Sequence, residues 1–307
     1  MRIIGAGMSG LLAAHYFRHL CPVVLEKQSS LPNNHQALLR FRTSAVSDLT
    51  GIPFKKVKVQ KMAILDGAEY QKPNLLISNL YSRKVSGQTN ARSIGNLDDC
   101  ERYIAPSDFV NKLSKGVNIE CNRKVELINN HSDLEGNPII TISTMPVAAL
   151  ANSLGYKGLP ELKTKEIWTV KFDLWNNVDV YQTIYYPSHM LPLYRLSITG
   201  KTVIAEFCKS PDELTDEKIT NELSKFIESH FGIPCHEAIE IKRSYQKFGK
   251  LIECDTDEVK KFIGWATRKH NIYSLGRWGC HRQLLMDDVV KDIKQIDKLI
   301  RSNGYNL

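Results

Sequence analysis

Apolar blocks and a glycine-rich turn alternate along the first 26 residues. The apolar stretch Met1–Ile4 leads into three glycines at positions 5–10, and a second apolar stretch, Pro22–Leu25, ends at Glu26. Between them, apolar side chains recur at helical spacing, at Leu11, Leu12, Ala14, Phe17 and Leu20. The order of strand, tight turn, amphipathic helix and strand predicts a β-α-β unit at the start of the chain.

The region from residue 31 to residue 150 has a less regular pattern. Residues 31–50 are predicted to form a loop and a helix, and 105–113 a helix opened by the Pro-Ser-Asp sequence at 106–108. Five apolar or β-branched runs predict strands: 56–65 and 73–81 in an inserted lobe, and 117–121, 125–128 and 139–142 returning to the first unit.

The second half changes character after residue 165. Four runs rich in aromatic and β-branched residues follow one another at short spacing, which predicts an antiparallel sheet. These runs are 167–174, 180–186, 193–198 and 202–207. The pattern then predicts a helix over 215–231, strands at 239–244 and 272–275, and a closing amphipathic helix over 286–301.

These elements predict an α/β protein with a Rossmann-like nucleotide-binding domain that is discontinuous in the sequence. We expect this domain to comprise residues 1–50, 101–150 and 265–307. Residues 51–100 and 151–264 are expected to form an inserted antiparallel-sheet lobe that binds substrate. Rossmann domains for NAD are usually continuous, so the discontinuity favours FAD as the cofactor.

The N-terminal turn has the spacing of a dinucleotide-binding fingerprint, Gly5-x-Gly7-x-x-Gly10. Gly5 permits the tight turn, Gly7 lets backbone N–H groups approach a pyrophosphate, and Gly10 allows close packing of helix on strand. Glu26 is placed to accept hydrogen bonds from the ribose hydroxyls. Three neighbours in these two segments are further candidate cofactor contacts: Met8, Ser9 and Lys27.

Composition narrows the class of protein and its partners. Lys and Arg number 41 against 33 Asp and Glu, a net charge of +8, with a local basic run at 55–61. This balance favours an anionic substrate or nucleic acid, and a solvated basic face is an equally simple explanation. The apolar runs are too short to span a membrane. The fingerprint begins at the first residue, which predicts no signal peptide, a cytoplasmic location and reduced thiols for the seven scattered cysteines. No metal-ligand spacing occurs.

A second glycine-containing motif precedes the closing helix. Gly276 can let the backbone approach a cofactor, and Arg277 supplies a fixed positive charge. The helix that begins near Leu285 and Met286 would offer free N–H groups and the positive end of its dipole to the negative charge of a reduced flavin. The simpler alternative is a turn before a surface helix.

The stretch from Gly276 to Val290 resembles the C-terminal flavin motif of UDP-galactopyranose mutases. Tyr186-Pro followed by Pro192-Leu-Tyr-Arg195 is similar to the mutase segment that carries a substrate-binding arginine. Residues 142–146 are similar to a segment of the wider flavin amine oxidase superfamily, and 41–43 faintly resemble a mutase stretch near the flavin. The resemblance implies a glutathione-reductase-type FAD domain, with further cofactor contacts from Arg42, Val125, Thr144 and Pro146.

The chain departs from the mutase pattern at several positions. No Gly-Gly-Asn loop follows the ribose acid, where residues 28–35 stand. Arg42 replaces a histidine, Leu285 replaces an aspartate, and His281 replaces a tyrosine. These differences are compatible with FAD binding but weaken the case for mutase chemistry.

Several side chains are candidates for chemistry. Arg195 can pair with a phosphate or carboxylate through its planar fork, and Tyr186 and Tyr194 flank it as candidate substrate contacts. His281 is a candidate proton carrier. By the superfamily resemblance, Tyr245 and Lys247 occupy positions over the flavin. For each of them a structural or solvated role is the alternative.

Two classes of function follow. The first is an amine oxidase-like FAD-dependent oxidoreductase that oxidises an amine or a related C–N or C–H bond of an anionic substrate, with hydride passing to flavin N5. Its substrate could be a small molecule, a modified nucleotide or a nucleic-acid base. The alternative is a non-redox, mutase-like flavoenzyme acting on a nucleotide-sugar, and a flavin-binding protein without catalysis is a third class.

Overall fold

The computed structural model describes residues 1–31, 40–89, 94–125, 139–176, 178–209, 216–234, 238–252 and 256–302. The strands in chain order are β1 (Arg2–Ile4), β2 (Val23–Leu25), β3 (Arg40–Phe41), β4 (Lys55–Leu65), β5 (Ala68–Tyr70), β6 (Cys100–Ile104), β7 (Asn118–Glu120), β8 (Thr141–Ser143), β9 (Thr164–Leu174), β10 (Tyr181–Tyr185), β11 (Leu193–Thr199), β12 (Thr202–Phe207), β13 (Ala238–Leu251) and β14 (Ile272–Ser274). The helices are α1 (Met8–Tyr16), α2 (Ala45–Thr50), α3 (Leu75–Ser86), α4 (Phe109–Ser114), α5 (Val147–Ser153), α6 (Asp216–Phe231), α7 (Thr256–His270), α8 (Gly276–Gly279) and α9 (Met286–Ser302).

The smaller sheet has five strands in the order β14-β8-β1-β2-β7, and every pair is parallel. Side chains of successive strand residues point to opposite faces, so Ile3 and Ile4 enter different cores. Ile3 packs in the cluster that includes α1 and α9, and Ile4 packs with α5 and α7. Helices therefore cover both faces of a parallel sheet, which is the predicted Rossmann-like arrangement.

This sheet takes its strands from distant parts of the chain. β1 and β2 are N-terminal, β7 and β8 come from 118–143, and β14 comes from 272–274. The discontinuity predicted from the motifs at the two ends of the sequence is therefore confirmed. The predicted boundaries differ from sheet membership in one respect, since β3 and β6 pair within the other sheet and not with the nucleotide-binding strands.

The larger sheet has nine strands, in the order β13-β9-β12-β11-β10-β4-β6-β3, with β5 paired to β4. The predicted antiparallel block is confirmed as the run β9-β12-β11-β10. One face of this block packs against α6 through a buried apolar cluster, in which Phe172, Leu196 and Val203 are fully covered. The opposite face lines the cavity described below.

One prediction of secondary structure was wrong, one predicted helix begins later than expected, and one helix was missed. The segment 73–81 is not a strand, because Asn74 accepts a hydrogen bond from the Ile77 amide at 2.9 Å and begins helix α3. Ile77, Tyr81 and Val85 are buried at a spacing of four, which is the helical period. The segment predicted as a helix from 105 becomes helical only at Phe109. Helix α7 was not predicted, and of the strand predicted at 125–128 only residue 125 is described.

Lys84 ties α3 to the second sheet. Its side chain is buried, and its ammonium donates to the carbonyl oxygens of Tyr186, Ser188 and Leu193 at 2.7, 2.6 and 2.7 Å. Burial lowers the pKa of Lys84 to about 8. These three hydrogen bonds hold the segment between β10 and β11 in place. This segment leads directly into β11, the strand that carries Arg195.

We expect Lys84→Met to lower the free energy of unfolding by about 2–3 kcal/mol, because three buried carbonyl groups lose their donor. The measurement is urea unfolding followed by circular dichroism. Arg83→Met is the matched control, since this neighbouring side chain is exposed and should change stability by less than about 0.5 kcal/mol. Equal stability of the two variants would contradict a structural role for Lys84.

Candidate functional site

The fingerprint turn has the geometry that a dinucleotide phosphate needs. Gly5 has a φ of +95°, and a Cβ on Gly10 would lie 1.9 Å from the Gly5 carbonyl oxygen, so α1 crosses β1 in direct contact. Gly7 is different, because a Cβ there would meet no atom within 4 Å. Open space therefore lies at the N-terminus of α1, where helix N–H groups and the helix dipole favour an anion.

Glu26 is buried at the end of β2 and holds the turn in shape. Its carboxylate accepts hydrogen bonds from the amide of Ala6 at 2.8 Å and the amide of Gln28 at 2.9 Å. A carboxylate has about four acceptor positions, so two bonds leave capacity for the predicted ribose hydroxyls. The neighbouring Lys27 is exposed, and Met8 is packed in the apolar core behind α1.

The C-terminal motif lies against the fingerprint. A Cβ on Gly276, whose φ is +84°, would approach the Ser9 hydroxyl oxygen to 2.7 Å. A Cβ on Gly5 would similarly meet the Thr144 hydroxyl at 2.3 Å, and this hydroxyl donates to the Ile4 carbonyl at 2.8 Å. The sequence motifs at residues 5–10, 144 and 276 therefore meet at the carboxyl ends of β1, β8 and β14, where open α/β sheets bind ligands.

Pro146 follows closely after Thr144 in the sequence, and Val125 packs against the apolar cluster that contains Ile4. Pro146 precedes the first residue of α5 and is exposed. Val125 is half-buried against the cluster around α5 and α7. A contact of either residue with a cofactor stays a prediction.

One expectation for the closing helix stays a prediction, namely that the N-terminus of α9 offers free N–H groups to a flavin. The Leu285 amide, immediately before the helix, donates to the Asp288 carboxylate at 3.0 Å, and Asp287 accepts from the Thr43 amide at 2.9 Å. Two carboxylates in the first turn of α9 offset the positive end of its dipole. Met286, the first residue of α9, is half-buried against the α1 core.

A cavity of about 550 Å³ lies between the two sheets. Arg42, Arg277 and Leu285 line it on the nucleotide-binding side. The Arg277 side chain is held there by donating to the Leu284 carbonyl from Nε at 3.2 Å and from Nη2 at 3.0 Å. Arg277 follows Gly276, which lies against Ser9 of the fingerprint, so the cavity begins next to the fingerprint turn.

Alternate residues of neighbouring strands form the other wall of the cavity. Lys61 on β4, Arg102 on β6, Thr183 on β10 and Ser197 on β11 all face it. The period of two is the strand period, so one face of the larger sheet forms the floor and the other packs on α6.

The cavity is strongly basic. Among the described residues that line it, seven are arginine or lysine and one, Glu206, is acidic. Three exposed lysines of the basic run at 55–61 lie outside it and are paired: Lys55 with Asp179 at 2.9 Å, and Lys56 and Lys58 with Glu101 and Asp99. The exposed part of this run is therefore largely neutralised, while its last lysine, Lys61, lines the cavity.

Arg195 lies in this cavity but is not free to bind a ligand with its whole fork. Its Nε and Nη2 atoms donate to the two Glu206 oxygens, the second at 2.7 Å, and Tyr194 donates its hydroxyl to the same carboxylate at 2.8 Å. A bulge between residues 193 and 195 lets Tyr194 and Arg195 approach one side of the sheet. Three of the five guanidinium N–H groups remain outside the Glu206 pair.

Burial alone would raise the pKa of Glu206, but the adjacent Arg195 guanidinium outweighs it and holds this pKa at about 2, below its ordinary value of 4.5. Burial, followed by the Glu206 charge, raises the pKa of Tyr194 well above its ordinary value. The group is therefore an ionised carboxylate held between a guanidinium and a neutral phenol.

A depressed carboxyl pKa stabilises the folded state above the unfolded pKa and loses this effect as pH falls. We expect Glu206 to contribute up to about 3 kcal/mol near neutral pH, lost as pH falls from about 4.5 towards 2. Urea unfolding at pH 6, 4 and 3 measures it. Glu206→Gln should show a shallower fall in stability over this range, and a parallel fall in both proteins would contradict the assignment.

Four sequence-predicted residues do not face the cavity. Tyr186 is 1 % exposed and packs against Phe226 on the α6 side of the sheet. The prediction that it contacts substrate is therefore wrong. The Tyr194 ring is fully buried behind Glu206, and its hydroxyl donates to that carboxylate. Tyr245 and Lys247 are exposed, with the Tyr245 hydroxyl bonded to Glu166 at 2.6 Å. A shift of one residue along a strand reverses the face, and Gln246 lines the cavity instead.

His281 is also displaced from its predicted role. It has a left-handed φ of +45°, is buried, and does not line the cavity. Burial lowers its pKa. It belongs to the connection between α8 and α9, so its predicted role as a proton carrier is not supported.

Sequence reasoning missed several cavity residues, among them Arg40, Arg102, Glu206 and Lys250. Lys250 is buried, and its ammonium lies 3.7 Å from the centre of the Tyr194 ring. The β-branched, alternating pattern of β12 could have placed Glu206 on the polar face of its strand. No local signal distinguishes Arg40 or Lys250 from other basic residues in strands.

Comparison with known proteins supports the fold. No family model matches the sequence, and no curated protein does. Among solved structures, a reduced UDP-galactopyranose mutase is similar with a TM-score of 0.67 and 12% identity, over 98% of this chain and 93% of that one. An oxidoreductase from Methanosarcina mazei gives 0.57 and 11% identity, over 97% and 99%. A flavoprotein/dehydrogenase from Cytophaga hutchinsonii gives 0.52 and 13%, over 100% and 79%.

At these identities the likeness establishes the architecture, which is that of a flavoprotein fold with an inserted sheet. It covers nearly the whole chain, including the second sheet. Within the described ranges, no helix has the length and apolar character required to cross a bilayer. The same ranges contain no group of three or more His, Cys, Asp or Glu side chains placed to hold a metal ion.

Proposed function

We propose that this protein is an FAD-dependent oxidoreductase that acts on an anionic substrate. The observation that carries the proposal is the basic cavity, which begins beside the fingerprint and is closed by the opposite sheet. The dinucleotide would lie along the N-terminus of α1, and its reactive ring would reach the cavity past Gly276 and Arg277. When bound, FAD supplies the two-electron chemistry, with hydride accepted at N5.

The residues present fit the dinucleotide. The space at Gly7 is open where a pyrophosphate would approach, Glu26 keeps acceptor capacity for ribose hydroxyls, and Gly276 brings the backbone against Ser9. The cluster of motifs at the carboxyl ends of three parallel strands is where such folds bind dinucleotides.

The charge of the cavity restricts the substrate. In the described part of the lining, seven cationic side chains against one carboxylate repel a simple ammonium ion and attract an anion. An amine that is oxidised here must therefore carry an anionic group of its own. Arg277 and Arg42 fix positive charge on the cofactor side, while Arg195, held by Glu206, can orient the substrate through its remaining N–H groups.

The surface gives less support to a nucleic-acid substrate, because the exposed lysines at 55, 56 and 58 are paired with carboxylates. A cavity of about 550 Å³ suits a small anionic molecule or a single nucleotide. A modified base within a long polymer would need a basic track leading to the cavity.

A non-redox, mutase-like reaction on a nucleotide-sugar is the second candidate. It is favoured by the TM-score of 0.67 with UDP-galactopyranose mutase over nearly the full length of both chains. The histidine, aspartate and tyrosine of the mutase pattern are Arg42, Leu285 and His281 here, which favours the oxidoreductase.

One experiment tests both candidates. The purified protein is expected to be yellow, with an absorbance maximum at about 450 nm from bound oxidised flavin. Anionic amines, amino acids and sugar nucleotides are then added without oxygen. Bleaching of the flavin by a substrate supports the oxidoreductase, while isomerisation of a sugar nucleotide by dithionite-reduced protein, without bleaching of the oxidised form, supports the mutase. A colourless protein that binds NAD and not FAD would overturn both.

A further inference from the structure

Arg40 reaches from β3 across the floor of the cavity and is bonded only to neutral groups. Its Nη1 donates to the Thr183 hydroxyl at 2.7 Å, and its Nη2 donates to the carbonyl oxygens of Gln182, at 3.2 Å, and Ile198. Its Nε donates to the Thr199 hydroxyl. Four of the five guanidinium N–H groups of Arg40 are thus used, and one N–H on Nη1 remains.

The positive charge of Arg40 lacks a counter-charge among the described residues. Glu206, the acidic residue of the lining, is already held bidentately by Arg195. Burial, and next the charge of Arg195, lower the pKa of Arg40 to about 10. A buried cation beside a second cation is costly unless an anion accompanies it.

Two further cations lie close to Arg40. Lys61 on β4 is in register with Thr183, the residue that accepts from Arg40, and its ammonium contacts the Asn96 side-chain oxygen at 3.4 Å. Arg102 on β6 faces the same cavity, and its Nη1 donates to the Glu101 carbonyl at 2.7 Å. In the described part of the chain, neither is paired with a carboxylate.

We propose that Arg40, Lys61 and Arg102 form a phosphate-binding subsite, and that the substrate of this protein carries a phosphate group. The proposal rests on the proposed function, since it names the anionic group of that substrate. The occupied fork of Arg40 cannot clasp a planar carboxylate through two parallel bonds. Three separate cationic donors instead match the three acceptor oxygens and double charge of a phosphate.

The phosphates of the dinucleotide are the alternative source of such an anion, and the test separates them by using protein saturated with FAD. Inorganic phosphate is titrated into this protein, and the shift in melting temperature gives its dissociation constant. Acetate and sodium chloride at the same ionic strength are the comparison anions. Lys61→Met and Arg102→Met are the test variants. Lys58→Met is the matched control, since Lys58 is on the same strand, exposed, and paired with Asp99.

Phosphate is expected to stabilise the wild-type protein and the Lys58→Met variant equally, and acetate to do so much less. Lys61→Met and Arg102→Met should each weaken phosphate binding about tenfold while melting normally in its absence. The subsite is overturned if phosphate gives no shift, if acetate gives the same shift, or if all three variants bind alike. A protein that cannot be loaded with FAD refutes the proposed function instead, and the same titration on that protein still reports on the subsite.

Discussion

Gly7→Asp is expected to yield a folded protein that retains no FAD. The substitution places a carboxylate in the open space at the N-terminus of α1, where we expect the pyrophosphate to lie. Repulsion between the two anions, together with lost amide contacts, should weaken FAD binding by at least about 100-fold, or roughly 2.7 kcal/mol. The flavin absorbance per protein after gel filtration measures it.

Two neighbouring substitutions make this prediction specific to the cofactor. Gly7 has φ −68° and ψ 175°, and a Cβ there meets no atom within 4 Å, so Gly7→Ala should fold normally and lose affinity only moderately. At Gly10 a Cβ would lie 1.9 Å from a backbone oxygen, so Gly10→Ala should destabilise the fold by about 1–3 kcal/mol or more. Full flavin occupancy in a folded Gly7→Asp variant would mean that the dinucleotide binds elsewhere.

The contrast between these glycines shows how far the sequence could predict the nucleotide-binding half. The spacing of the fingerprint depends on local geometry, namely one tight turn and one helix start, and such features are encoded within about ten residues. The meeting of residues 5–10 with Gly276 is a long-range contact. The motifs predicted only that both segments belong to one cofactor-binding domain, and the contact itself follows from the alignment of the carboxyl ends of parallel strands in the fold.

The second sheet was less predictable at the level of side chains. Its strands were found from composition, but the face of each residue depends on register and on bulges. The bulge at residues 193–195 brings Tyr194 to the side of Arg195, and on β13 the cavity side is taken by Gln246 while Tyr245 and Lys247 face away. Neither feature leaves a mark in the local sequence, since a one-residue slip preserves the pattern but reverses the face.

The basic cavity required pairing information that no sequence pattern contains. Counting charges gave +8, but it could not tell which lysines are neutralised. Lys58 and Lys61 lie three residues apart on one strand and therefore point to opposite faces. Which face lines a cavity, and that Lys58 meets Asp99, depends on the fold. The prediction of an anionic substrate from net charge therefore depended on a distribution that only the fold determines.

Arg195→Met is expected to destabilise the protein by about 3–5 kcal/mol, because it leaves the buried Glu206 carboxylate without its guanidinium. Loss of turnover in this variant would therefore not prove that Arg195 contacts substrate. The double variant Arg195→Met with Glu206→Gln separates the two roles. It removes both charges, and the glutamine oxygen can still accept the Tyr194 hydroxyl, so most of the lost stability should return.

If Arg195 orients the anionic substrate through its remaining N–H groups, the double variant should fold and keep its flavin spectrum. Substrate should nevertheless reduce its flavin more slowly than in the wild type, with KM raised about tenfold or more. Stopped-flow reduction of the flavin at several substrate concentrations measures this, with urea unfolding as the companion experiment. Arg195→Lys should retain the charge and also be impaired, since it lacks the planar fork. Recovery of normal KM together with stability in the double variant would show that the Arg195–Glu206 pair only supports the sheet, and that the substrate anion is held by other cations of the cavity.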